Sequence, residues 1–183
     1  MTRAWRIAPE TMRRGNSASA PRSTTRSSSP SPSGAPIWSV PVFDEKRNRI
    51  IVTTGENTSH PSTDTSDAVI ALDLNTGKVA WQYQAMAADA WNMSCDVGTG
   101  NNGPNCPVLF GGDGRDYDFG AGAIIARGKG GKDVVLAGQK SGHAWALDAD
   151  TGKVLWSQRI GEGTALGGVH WGFAMRRSDA PVS

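Results

Sequence analysis

Long apolar runs are missing from this 183-residue chain. No stretch approaches the ~18 residues that a membrane-spanning helix needs, so no span is predicted. Cysteine is scarce, with Cys95 and Cys106 alone. No Cys-x-x-Cys-His occurs, which excludes covalent c-type haem. His60, His143 and His170 are scattered, and no Cys or His falls at metal-ligand spacing. Tyr and Phe are few, while Gly (23) and Trp (7) are frequent. That imbalance suits short strands and tight turns better than a helical bundle. Spacing alone leaves open whether Cys95 and Cys106 form a disulfide or remain two thiols.

The basic excess is local. Arg3, Arg6, Arg13, Arg14, Arg22 and Arg26 face one acid, Glu10, within residues 1–36, and the remainder is mildly acidic. The head has no aromatic interleaving beyond Trp5 and no recognisable binding module, so no nucleic-acid partner is expected. Ser17–Pro36 is almost entirely Ser, Ala, Pro, Thr, Gly and Arg. Such a segment cannot bury enough apolar surface to order itself, and residues 1–36 read as a disordered head. The head lacks the apolar centre of a secretory signal, and Arg13-Arg14 lacks the run that a twin-arginine signal needs.

From Pro36 the pattern becomes strand and turn. Ile50–Thr54 is short and rich in β-branched residues; Ala68–Asp73 and Lys78–Tyr83 flank Leu74-Asn75-Thr76-Gly77. Asn and Gly there supply the backbone conformations a tight hairpin needs. The same pattern is then written again. Ala146-Leu147-Asp148-Ala149-Asp150-Thr151-Gly152-Lys153-Val154-Leu155-Trp156 repeats Ala71-Leu72-Asp73-Leu74-Asn75-Thr76-Gly77-Lys78-Val79-Ala80-Trp81. Upstream, Arg49–Gly55 has its counterpart in Asp133–Gly138, and Trp38–Val42 in Phe119–Ile125. Each unit is three or four strands in about 42 to 48 residues, the period of a propeller blade. A third unit opens at Gly167-Gly168-Val169-His170-Trp171.

The predicted fold is all-β: a partial β-propeller of about two four-stranded blades plus the start of a third. The expected division is a head at 1–36, a propeller region at 37–174 and an unstructured tail at 175–183. Within the propeller region we expect blades at 37–84 and 118–160, an insertion at 85–117 and a third blade start at 161–174.

Ala-Leu-Asp-x-x-Thr-Gly-Lys-Val-x-Trp resembles the Trp-docking motif of quinoprotein alcohol dehydrogenases, which depend on pyrroloquinoline quinone (PQQ). The resemblance implies that the motif Trp packs between neighbouring blades. Similar motifs also occur in propellers without catalysis. Other segments are more specific. Pro36-Ile37-Trp38-Ser39-Val40-Pro41 resembles the blade start that places a Trp beneath the PQQ ring, which makes Trp38 the stacking candidate. Gly55-Glu56-Asn57 resembles a strand end whose Asn amide oxygen binds Ca2+. Asn57 is thus the expected metal ligand, with Glu56 second. Ala137–Gly142 resembles the turn that presents a cation to the quinone, which points to Lys140 for cofactor binding and catalysis.

The catalytic Asp of the family follows a Trp, but here Trp91 is followed by Asn92, which cannot take a proton. After the insertion, Tyr117-Asp118-Phe119 offers Asp118 as the general base, with Asp116 and Asp96 behind it. The insertion resembles that of polyvinyl-alcohol dehydrogenases, which implies a periplasmic or secreted setting and favours a Cys95–Cys106 disulfide. Taken together, the resemblance implies oxidation of an alcohol, polyvinyl alcohol among the candidates, with PQQ and Ca2+ as cofactors and a cytochrome c as electron acceptor. Propellers close as a ring of several blades. Two blades lead us to expect a fragment of a larger dehydrogenase; a non-catalytic protein-binding propeller and a non-functional truncated product are the alternatives.

Overall fold

Strands of this chain are short and bounded by turn residues, and they assemble into two sheets of the same build. The computed structural model describes residues 33–95, 101–111 and 114–175. The head up to residue 32, Asp96 and the last eight residues lie outside that range. Strands β1 (Val42–Asp44), β2 (Arg49–Thr53), β3 (Ala68–Asp73) and β4 (Val79–Gln84) pair in chain order as one antiparallel sheet. Strands β5 (Ile124–Arg127), β6 (Asp133–Gly138), β7 (His143–Asp148) and β8 (Val154–Arg159) form the other in the same order. No α-helix occurs among the described residues; helical turns are limited to short 3-10 segments. The architecture is a partial β-propeller. Between Gly161 and Met175 no strand forms, and that segment lies back on the second sheet through Thr164 N–H to Lys140 O and Val169 N–H to Gln139 O.

The β3–β4 and β7–β8 turns show why the shared motif takes this shape. Asp73 Oδ1 accepts from Asn75 N–H, Thr76 N–H and Thr76 Oγ1 at 3.1, 2.9 and 2.8 Å. Asp148 Oδ1 does the same for Asp150 N–H, Thr151 N–H and Thr151 Oγ1 at 3.0, 2.9 and 2.9 Å. A short acidic side chain thus gathers the donors that a tight turn leaves over. Gly77 and Gly152 close the two turns at φ 68° and 72°, where a Cβ would be strained. Both sheets also carry an irregularity at the same place, after Ala71 and after Ala146.

The main core spans both sheets. Ile51, Val69, Ala71 and Trp81 of the first meet Val135, Ala137, Trp145 and Leu147 of the second, with Phe119 between them. Val52, Ala68 and Ile70 form a smaller cluster on the other face of the first sheet. Burial on both faces explains why β3 reads as a nearly unbroken apolar run rather than an alternation.

Trp81 fastens one blade to the next. Its Nε1–H donates to Ala149 O at 3.1 Å, and its ring lies over Gly152, where a Cβ would come within 2.5 Å of Cε3. The 3-10 turn after β1 adds a polar clasp. Arg47 reaches Asp133 at 3.1 Å and Asp150 at 2.6 Å, and Arg49 donates to the carbonyls of Ala149 and Asp150.

Candidate functional site

The end of the sheets opposite those turns gathers the charged residues. Strand β2 runs out into Thr54-Gly55-Glu56, and β6 into Gln139-Lys140-Ser141. The segment 116–120, which leads toward β5, is laced between them: Phe119 N–H donates to Thr54 O at 3.2 Å, and Lys140 N–H to Asp118 O at 2.9 Å. Both bonds place the Asp118 side chain against Gly55, where a Cβ would sit 2.2 Å from Asp118 Oδ1. Glycine is required there because a carboxylate occupies the space.

Lys140, Asp118, Asp116 and Glu56 are all buried. The Lys140 ammonium donates to Asp118 Oδ2 at 2.6 Å and to Asp116 Oδ1 at 2.8 Å. Asp118 Oδ1 also accepts Glu56 N–H at 2.9 Å. Burial works against the ammonium, but the two carboxylates outweigh it and raise the Lys140 pKa. Burial likewise opposes ionisation of Asp118, yet the hydrogen bonds to Glu56 and Lys140 prevail and hold it below the usual carboxylate range. Glu56 goes the other way: burial first, then its hydrogen bond to Asp118 and that residue's charge, push it up to about 9. Asp116 is pushed up to about 6 by burial, with Lys140 opposing. At neutral pH these shifts favour a cationic Lys140, an anionic Asp118 and a neutral Glu56.

Trp38 completes this group. Lys140 Nζ stands 5.5 Å from the centroid of its ring, a cation–π contact. Gly55 and Gly120 both make room for the indole: a Cβ on Gly120 would meet Cη2 at 2.7 Å and one on Gly55 would meet Nε1 at 3.1 Å. His170 and Trp171 flank the ring at centroid distances of 5.3 and 5.9 Å, and 40% of Trp38 stays exposed. Trp38, Asp118 and Lys140, three of the four residues selected from sequence, thus come together.

Asn57 makes none of these contacts. It is fully buried, and its Oδ1 accepts from Thr63 N–H and Thr63 Oγ1, each at 3.1 Å. Its backbone bridges to Ala90, through Asn57 N–H to Asp89 O and Trp91 N–H to Asn57 O. Asn92 is likewise structural in its contacts, donating to the carbonyls of Thr58 and Asn105. His143 rests beside Trp145 at 5.6 Å.

Oxygen atoms of Glu56, Asp116 and Asp118 lie within 4.8 Å of one another, close enough to share one cation. Three carboxylates are a hard donor set of the kind Ca2+ takes, and a cation there would replace the proton on Glu56. Sequence alone ranked Glu56 and Asp116 as secondary, and it missed two further buried acids beneath the cluster, Asp67 and Asp89. Their only signal in sequence is an Asp in an otherwise apolar context, Ser66-Asp67-Ala68-Val69 and Ala88-Asp89-Ala90. A groove of about 420 Å³ is bordered by Tyr117, Gln139, Ser141, His143 and Arg159, and none of Trp38, Glu56, Asp116, Asp118 or Lys140 lines it. Across the insertion, Cys95 and Cys106 form a disulfide.

Comparison with known proteins places these features. Residues 2–101 match the family model described as the β-propeller domain of PQQ glucose, ethanol and alcohol dehydrogenases. The polyvinylalcohol dehydrogenase of Sphingopyxis sp. strain 113P3 is 39% identical over 144 residues, which is 78% of this chain and 21% of that protein. The polyvinylalcohol dehydrogenase of a Pseudomonas species is 35% identical over the same shares. Among solved structures, the quinohemoprotein alcohol dehydrogenase from Comamonas testosteroni superposes with a TM-score of 0.50 at 26% identity, over 69% of this chain and 17% of that one. The chain spans about a fifth of the length of the curated relatives it matches. On its motifs, its sheets and these matches, the chain belongs to the PQQ-dependent alcohol dehydrogenase β-propeller family.

Proposed function

We propose that these residues form one wall of an alcohol-oxidising site that uses PQQ and a divalent cation, Ca2+ being the candidate, with polyvinyl alcohol as the candidate substrate. The observation that carries this reading is the convergence of Trp38, Asp118 and Lys140 at one end of the two sheets, with Glu56 and Asp116 beside them. A scaffold has no need of two buried ion pairs and a half-exposed indole at that place.

Bound PQQ would supply a two-electron acceptor for the hydrogen and electrons that leave the alcohol carbon. Trp38 would offer a flat apolar surface at little entropic cost. Lys140 would place a positive charge where negative charge builds on the acceptor. Asp118 is ionised and can receive the alcohol proton, but Lys140 and Glu56 hold its basicity down. Drawing the ammonium toward the acceptor would release part of that restraint and strengthen the base. The metal reading rests on Glu56, Asp116 and Asp118, because Asn57 would first have to release Thr63. A separate acceptor such as a cytochrome c would take the electrons onward. The disulfide supports an oxidising compartment, periplasmic or extracellular.

The test adds PQQ and Ca2+ to the purified chain and follows Trp fluorescence and dye-linked oxidation of an alcohol. Saturable quenching that requires both additions and is lost in K140A supports the reading. Fluorescence unmoved by PQQ and Ca2+ together would sink it and leave a protein-binding propeller as the better account.

A further inference from the structure

We propose that this chain associates head to tail with a second copy of itself, the Trp156 face of one copy seating on the open Leu74–Gly77 turn of the other. This is independent of the quinone and metal chemistry above.

The joint between the two sheets supplies the template. A row of side chains crosses each sheet from strand to strand. In the first sheet Val42, Ile51, Ala71 and Trp81 stand opposite one another in register. In the second, Ile125, Val135, Leu147 and Val154 do the same. All eight belong to the shared core or pack against it, so the joint is one row laid on the other. Trp81 closes it, donating from Nε1–H to Ala149 O and lying over Gly152.

Opposite residues share a face, and successive residues of a strand take opposite faces, so each sheet carries a second row on its other side. In the second sheet that row is Ile124, Leu136, Ala146 and Trp156, which matches the indole-bearing row of the joint strand for strand. In the first sheet it is Phe43, Ile50, Leu72 and Val79, which matches the receiving row. Trp156, Phe43 and Val79 are all exposed. The seat for the indole is also in place. Leu74 and Gly77 hold the motif positions of Ala149 and Gly152, and a Cβ on Gly77 would find nothing within 4 Å. One chain thus holds an unused indole row and an unused seat, of the same two kinds that already fit each other within it. Burying apolar side chains of this size drives association. The surface that fits the seat is the chain's own, which makes a second copy the partner.

The two faces differ, so the contact is heterologous: every added copy leaves an indole row free at one end and a seat free at the other. It should be weaker than the internal joint for two reasons. Arg47 binds Asp150 across the internal joint, whereas the seat has the uncharged Asn75 at that motif position. Val52 and Ile70, on the half of the receiving face away from the turns, are already buried. The association should therefore dissolve on dilution.

Sedimentation velocity on the full chain, without cofactor or metal, tests this from about 10 μM to about 1 mM, the range in which weak contacts dissociate. The average mass should climb past that of a dimer and fall again on dilution. W156A removes the indole, and G77A places a Cβ in its seat. Each alone should weaken association by at least about tenfold, the scale of one anchoring aromatic. Mixed, the two variants should form a dimer and stop there, because only the indole of G77A and the seat of W156A remain. L74R puts a charge into the seat from an exposed side chain; it should behave as G77A does, and it replaces that variant if circular dichroism shows G77A unfolded. A wild-type chain that stays monomeric throughout overturns the proposal and leaves both faces to a different partner. Association unchanged in W156A, or a mixture that stays monomeric, overturns it equally.

Discussion

Trp81 and Trp156 stand at the same place in two hairpins of the same build, yet they lead different lives. Trp81 is 7% exposed and Trp156 is 49% exposed. The Asp-gathered turns before them are alike to within a tenth of an ångström in most bonds. The motif therefore determines the hairpin, whereas a neighbouring turn determines whether its indole contributes to stability. Trp81 has such a neighbour in Ala149 and Gly152. The equivalent turn at Gly77 has open space where an indole would lie. The sharpest way to break this contrast is to remove each ring. W81A should lose roughly 3–5 kcal/mol, the usual cost of deleting a buried aromatic. W156A should cost under about 1 kcal/mol, as for an exposed position. Urea unfolding of both variants measures this, and equal losses would show that Trp81 does not hold the blades together.

The glycines sharpen the same contrast from the receiving side. Gly77 and Gly152 share a positive φ, so alanine at either should cost about 1 kcal/mol in backbone strain alone. Only at Gly152 does the new Cβ also strike an indole, 2.5 Å from Trp81 Cε3. G152A should therefore cost roughly 1–3 kcal/mol more than G77A, the range for forcing an extra carbon into packed space. In a W81A background that excess should vanish, and a cycle of the four proteins shows whether it does.

The two ends of the sheets should also respond oppositely to pH. At the turn end, Asp73 and Asp148 are held below the usual carboxylate range, each chiefly by its Thr hydroxyl, Thr76 or Thr151. A lowered folded value means that the unfolded chain binds protons more readily. Their stabilisation is present above about pH 4 and fades as pH falls further. At the site end, Asp67 and Glu56 are each raised to about 9, and there the folded chain holds protons that the unfolded chain has released. Stability should therefore decline as pH rises from about 5 to 9. Urea midpoints across that range should fall in the wild type and fall less in D67N. A flat wild-type profile would mean that these acids are solvated after all.

The unequal legibility of the two ends follows from the same physics. Everything at the turn end is local: Asp73 to Gly77 and Asp148 to Gly152 each close their own turn within a few residues, and the repeated string announces it. Trp38, Asp118 and Lys140, which the fold brings together, were candidates because each lies in a segment of distinctive wording, ahead of β1, ahead of β5 and just after β6. Asn57 shared that wording, but its orientation is decided by Thr63 and by Ala90, a contact across a loop that no local string records. Asp67 and Asp89 were invisible for a related reason. An acid between small apolar residues reads as a turn residue. Only the fold reveals that Asp67 is buried and that Asp89 holds the backbone of Asp116 and Tyr117.

The smallest effect concerns the turn acids themselves. D73A and D148A each remove three short hydrogen bonds to one oxygen, in turns exposed to water that can replace part of what is lost. About 1 kcal/mol is expected for D73A, comparable to the loss of a helix cap. D148A should cost a few tenths of a kcal/mol more, because its turn also carries the Ala149 carbonyl that receives Trp81 and the Asp150 backbone that receives Arg49. In a W81A background the two Asp variants should cost closer to the same. If D148A still costs more there, the difference belongs to the Arg47 and Arg49 clasp on Asp150 rather than to the indole, and R47A in the same background would reveal it.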